Sequence, residues 1–229
     1  MAKVTSRRAF WGLPLVVLVA HAGCFGSGST EFPEGLEPLE ANTAPAPQGG
    51  APDEALAMID GEGHNDEVDE DYVFVHGRGA LHATPGEVWA AVKDGDLLSA
   101  SCRLDSWSVT PDIDDAYEYS FRVHNLVDDV VTVEWDEEWR FGTVEGTPAA
   151  PELAMVRYQK TYGSDFIYLI EGSIQVLPSA GGDPAITEIE FIEHLAALGG
   201  SITDIRNSMQ RRFDLLAAVI HGEPEPACP

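Results

Sequence analysis

SITDIRNSMQRRFDLLAAVIHG, residues 201–222, carries a period that nothing before it shares. Ile202, Ile205, Met209, Phe213, Leu216 and Ile220 follow one another at steps of three or four. That spacing places them on one stripe of a helix about five turns long. Ser201 stands where an N-cap belongs, and Asp204 lies close to the positive helix end. Arg211 and Arg212 fall toward the C-terminal end, Gly222 suits a cap, and Pro224 forbids continuation. A helix with one apolar face needs a surface to cover it, which the preceding residues must supply.

They supply strands. Residues 72–84 open with β-branched and aromatic residues, and Gly77 and Gly79 mark a bulge or a close backbone approach. Thr84-Pro85-Gly86-Glu87 is a helix start: Thr84 can cap, Pro85 is favoured at the first helical position and Glu87 completes a capping box. Val88, Trp89 and Val92 give that short helix an apolar face, Gly95 stops it, and residues 96–104 read as a second short helix. Trp107 to Val109 is a short strand. Tyr117, Tyr119, Phe121 and Val123 alternate with polar residues, as do Val131, Val133 and Trp135, with a continuation toward Trp139 and Phe141. Gly146 to Pro151 reads as a loop. Residues 155–162 and 166–177 form a hairpin about Gly163-Ser164-Asp165, and residues 186–195 are a last strand. The expected class is α+β: a curved antiparallel sheet of about seven strands gripping a long C-terminal helix, with two short helices after strand 1.

This order resembles the START-like helix-grip superfamily, also called SRPBCC, which includes polyketide cyclase/dehydrase-like proteins. Ala83-Thr84-Pro85-Gly86-Glu87-Val88-Trp89 carries the sequence part of the resemblance: the first strand there often ends in a small residue, a Pro, a Glu and then Val-Trp. The resemblance covers residues 72–222 by element order. It implies a cavity between sheet and helix that takes an apolar ligand.

The N-terminus addresses the chain. Ser6-Arg7-Arg8-Ala9-Phe10 resembles the twin-arginine export motif, and the apolar run from Trp11 to Ala20 is shorter than the about 20 residues of a spanning helix. Residues 1–23 are therefore expected to be an export signal. Ala22-Gly23-Cys24 resembles a lipobox, with His21 where Leu is usual, whereas Ala20-His21-Ala22 fits ordinary signal peptidase. Cleavage before Cys24 or before Gly23 thus both stand. The cysteine count favours the lipoprotein, since Cys24 as lipid attachment leaves Cys102 and Cys228 as a pair for a disulfide. Two free thiols are the alternative. The expected location is the bacterial cell envelope, on a membrane through the lipid anchor only.

Residues 24–70 read as an acidic, Pro/Gly-rich disordered tether. From Cys24 to Asp71 there are 13 acids and no Lys or Arg, with five prolines and no apolar period. Residues 60–71 imitate a calcium loop but place Asn65 where an EF-hand needs Gly and Asp71 where it needs Glu. The folded domain is expected at 71–222, followed by a tail at 223–229. Of 13 basic residues, Lys3, Arg7 and Arg8 lie in the leader, so ten face 39 acids in the remainder, a net charge of −29. Nucleic acid is excluded as a partner by that charge.

Candidate ligand-binding residues are Trp135, Tyr158 and Tyr168 from the strands and Ile205, Met209 and Phe213 from the helix stripe; plain core packing is the competing reading of the stripe. No catalytic residue is assigned. The seven histidines are scattered, and no zincin pattern, Gly-x-Ser-x-Gly elbow, phosphate loop or Cys-x-x-Cys occurs. No metal and no cofactor is expected. Three function classes remain: a binder of a hydrophobic small molecule or lipid, a cyclase/dehydratase-like enzyme on an apolar substrate, and a non-enzymatic envelope interaction module.

Overall fold

The computed structural model describes residue 32, residues 35–47 and residues 52–228. The elements run β1 (Ala57–Asn65), β2 (Glu70–Leu81), α1 (Pro85–Val92), α2 (Gly95–Ser99), β3 (Ser106–Pro111), β4 (Tyr119–Asp128), β5 (Thr132–Thr147), β6 (Ala150–Gly163), β7 (Ile167–Pro178), β8 (Thr187–Ala197) and α3 (Ile202–His221). The strands form one sheet in the order β1-β2-β8-β7-β6-β5-β4-β3, and every neighbouring pair is antiparallel. The fold is α+β, an open antiparallel sheet with a long C-terminal helix across its inner face. It has eight strands where about seven were expected, because β1 comes out of the acidic stretch.

Local signals place α3. Ser201 accepts from the Asp204 amide and the Asp204 carboxylate accepts from the Ser201 amide, a full capping box; Gly222 closes the other end at φ 65°. Ile205, Met209, Phe213 and Leu216 are buried, as the stripe requires. Two of them sit on the glycines of β2. A Cβ on Gly77 would lie 2.6 Å from Met209 Sδ, and one on Gly79 would lie 2.7 Å from Phe213 Cε2. Because β2 pairs on both sides without a register shift, these glycines provide a close approach and not a bulge. Burying Phe213 completely contributes on the order of 2–3 kcal/mol.

Some boundaries differ from the sequence reading. Gly95 opens α2 instead of stopping α1, because Asp94 accepts from the amides of Asp96 and Leu97 and so starts a new helix. That helix ends at Ser99, short of residue 104. The loop expected at 146–151 shrinks to a tight turn: Gly146 takes φ 87°, and the β5–β6 pairing absorbs register shifts there and runs on to Thr147 and Ala150.

The largest correction concerns the tether. Residues 57–65 are β1, paired with β2 along their whole length. Residues 35–47 cross the outer face of the sheet as a strap. The Leu39 amide donates to Ser173 Oγ of β7, and Asn42 Nδ2 donates to the carbonyls of Gly77 in β2 and Phe191 in β8, each at 3.1 Å. The ordered domain therefore starts well before residue 71. The signal at 1–23 and the lipid-attachment residue Cys24 lie outside the described residues. Cys102 and Cys228 are joined in a disulfide, with Cα atoms 5.6 Å apart, which ties the C-terminal tail to the segment after α2. Arg211 holds the same tail through Glu225 and the Pro226 carbonyl.

Candidate functional site

One row of directly paired residues crosses the inner face: Phe121 of β4, Trp139 of β5, Tyr158 of β6, Gly172 of β7 and Glu193 of β8. The Trp139 and Tyr158 rings stack 4.0 Å apart at 9°. Tyr158 then lies flat over Gly172, where a Cβ would come within 2.2 Å of its Cζ. The missing side chain lets the phenol reach across β7 and donate to Glu193 Oε2 at 2.7 Å. Gly172 thus has a chemical purpose that its sequence neighbourhood does not announce.

Arg212 descends from α3 onto the end of that row. Its Nη1 donates to Glu193 Oε2 at 2.5 Å and to Tyr158 Oη at 3.3 Å, and its Nε donates to the Leu98 carbonyl at 3.2 Å. Glu137 lies two residues along β5 from this row, accepting from Trp135 Nε1 at 2.7 Å and from Asn125 Nδ2 at 3.4 Å. Arg212, Glu193 and Glu137 are all buried. Burial pushes the Glu137 carboxyl above the ordinary carboxylate range, against the pull of Arg212 and of the Trp135 N–H. Burial and the Glu193 charge push the Tyr158 phenol well above its usual value. For Arg212, burial works against the charge, but Glu193, Tyr158 and Glu137 hold the guanidinium protonated.

Beside this cluster lies a cavity of about 300 Å³. It sits between the N-terminal half of α3, the end of α2 with the segment after it, the β8–α3 turn, and strands β4, β5, β7 and β8. Leu98, Val133, Trp135, Ile170, Leu195 and Ile205 give it apolar walls; Asn125, Glu137, Glu193 and Arg212 form its polar floor. Arg103 and Asp204 pair at its rim, beside Ser208. An apolar chamber with a few fixed polar groups is the usual form of a small-molecule site.

The six residues proposed from sequence separate here. Trp135 and Ile205 line the cavity. Tyr158 is buried in the floor's hydrogen-bond network, outside the lining. Met209 and Phe213 are packed on Gly77 and Gly79, away from it. Tyr168 is half-buried on β7 and does not line it. The sequence reading missed Arg212, Glu137 and Glu193. A signal existed, since Glu137 is in phase with Val133, Trp135 and Trp139, and Glu193 with Ile189, Phe191 and Leu195. An acid on the inward phase of a strand demands a partner. Among the described residues, no histidine lines this cavity.

No protein-family model matches the chain, and no curated protein matches it. Solved structures do show similarity. The Zhui aromatase/cyclase from Streptomyces sp. R1128 is 12% identical over 66% of this chain and 92% of its own, with a TM-score of 0.43. The human StarD13 (DLC2) lipid transfer and protein localization domain is 11% identical over 71% of this chain and 88% of its own, TM-score 0.43. A START superfamily protein from Mycobacterium smegmatis is 10% identical over 65% and 94%, TM-score 0.43. Likenesses of this strength carry no functional argument; the cavity's own residues have to.

Proposed function

We propose that the cavity under α3 binds a hydrophobic small molecule or a lipid fragment that carries one polar, hydrogen-bonding group. The single observation behind this is the chamber of about 300 Å³ with apolar walls over a floor of Arg212, Glu193, Glu137 and Asn125. The walls would take the ligand's carbon skeleton, and burial of that skeleton would supply most of the affinity. The floor would fix its orientation. The sequence of residues 1–24 adds the cellular setting: export through a twin-arginine-like leader and attachment to the envelope membrane through a lipid on Cys24.

Native mass spectrometry of the mature chain purified from a bacterial envelope tests the binding, with organic extraction separating a bound ligand from the covalent lipid on Cys24. A reproducible apolar adduct is expected, and it should disappear in Ser208→Trp, whose indole would occupy the chamber. Ligand occupancy should also raise the melting temperature of the parent chain in proportion to the logarithm of ligand concentration. A clean mass before and after incubation with a lipid mixture would leave the envelope interaction module as the better reading.

A second reading, proton transfer to the same ligand, is favoured by one observation: a carboxyl with a raised pKa, Glu137, lines the chamber. An enzyme of that kind would lose turnover in Glu137→Gln while keeping the adduct.

A further inference from the structure

Two buried histidines and a carboxylate meet on the opposite face of the sheet, under the strap. His76 of β2 and His194 of β8 both point outward, and Glu40 of the strap reaches between them. Glu40 Oε1 lies 2.6 Å from His76 Nε2 and 3.3 Å from His194 Nε2. The three ligand atoms all lie within 4.8 Å of one another.

The rings are held by their surroundings. Tyr72 stacks on His194 at 4.2 Å and 14°, and Phe74 lies 4.9 Å from His76. The other nitrogens are engaged as well. His194 Nδ1 is 3.2 Å from Glu171 Oε1, and His76 Nδ1 is 3.0 Å from the Thr43 amide and 2.9 Å from Thr43 Oγ1. The Nε2 atoms of both rings thus turn toward one carboxylate oxygen, and their Nδ1 atoms are held from behind by Thr43 and Glu171.

We infer that Glu40, His76 and His194 form a zinc site that closes the strap onto the sheet. Two imidazoles and one carboxylate are a zinc donor set that leaves a fourth position for water, and Glu40 is open enough to solvent to admit one. Donor atoms around one tetrahedral zinc stand about 3.3 Å apart, so the strap has to draw Glu40 back slightly from His76, and the two imidazoles, whose Nε2 atoms lie within 4.8 Å of each other, have to turn about their side-chain torsions to meet the ion. Glu171 behind His194 is the outer carboxylate such sites use to fix the ring. The His76 ring keeps its single proton, which moves from Nε2 to Nδ1. Thr43 Oγ1 then accepts it, and the Thr43 amide gives up its bond to that nitrogen.

A rival chelate makes the test specific. His64, at the tip of the β1–β2 hairpin, lies 2.9 Å from Asp71, 3.6 Å from Asp66 and 3.7 Å from Asp69. The full-length chain, purified without a polyhistidine tag, is titrated with Zn²⁺ against a chromophoric chelator, and with Co²⁺ for visible absorption. The expected result is one equivalent bound with a tetrahedral Co²⁺ spectrum, unchanged in His64→Asn and weakened by about tenfold or more in Glu40→Gln. Glu40 is on the strap, so this variant leaves the sheet's core residues untouched, and His194→Asn with an unaltered circular dichroism spectrum serves as a second check. No uptake overturns the inference. So does uptake abolished by His64→Asn, or uptake indifferent to Glu40→Gln.

Discussion

On the inner face of the sheet, Arg212, Glu193, Tyr158 and Glu137 meet beside an open chamber; on the outer face, His76 and His194 meet beneath a strap of the protein's own chain. The inner groups are fixed by β5, β6, β8 and α3, the elements that also build the core. Groups fixed on such elements are preorganised. The outer cluster takes one member from a segment with no secondary structure, held by hydrogen bonds of Leu39, Asn42 and Thr43 to the sheet. The two faces thus differ in where their polar partners come from: core elements on the inner side, the strap on the outer.

The sharpest way to break this contrast is Arg212→Leu. It strips the counter-charge from Glu193 and Glu137 while both stay buried, and a loss of about 3–5 kcal/mol is expected in urea unfolding. Arg212→Leu combined with Glu193→Leu should recover much of that, because the unpaired charge goes too. If the single variant unfolds like the parent, the inner face is not the rigid one.

Next in size is the bridge that anchors the tail near the rim of the chamber. Cys102→Ser with Cys228→Ser opens a loop of sequence separation 126 and should cost about 2–4 kcal/mol in the oxidised protein. The outer face should respond more weakly. Asn42→Ala removes two hydrogen bonds to strand carbonyls, worth about 1–2 kcal/mol together. Its clearer mark should be faster proteolysis within residues 35–47 with the remaining domain intact. An equal loss of protection throughout the chain would show that the strap is part of the core.

The same contrast separates what the sequence disclosed from what it withheld. The stripe of α3, its Ser201–Asp204 box, the Gly222 cap and the Thr84–Glu87 box are local, and each was readable within a few residues. The strap was not. Asn42 finds its partners 35 and 149 residues away, and Pro38, Pro45 and the run of acids look like a solvated linker. Strand β1 hid for a related reason: Gly61 and Gly63 lie under the Phe74 and Tyr72 rings of β2, so the apolar cover of that face belongs to the neighbouring strand. The floor of the cavity was half legible. The inward phase of Glu137 and Glu193 could be counted along their strands, whereas Arg212 looked like a basic residue complementing a helix end, and only the tertiary fold turns it inward.

The smallest expected effect depends on pH and tests how dry the inner face is. The Glu137 carboxyl titrates above its unfolded value because it is buried. As pH rises past the ordinary carboxylate range, the unfolded chain loses this proton first, while the folded chain holds it. Stability from this group is therefore complete below the unfolded pKa and is lost as pH rises through the folded one. Glu137→Gln keeps an oxygen to accept from Trp135 and Asn125 but cannot ionise. The variant should gain on the parent as pH increases through that window, by up to about 1.4 kcal/mol per pH unit, and the gap should then stay level. Paired urea titrations of both proteins at stepped pH would show it. A constant gap across the window would mean that the Arg212 charge and the Trp135 N–H offset the burial of Glu137 in full, and the floor would then hold this carboxylate charged.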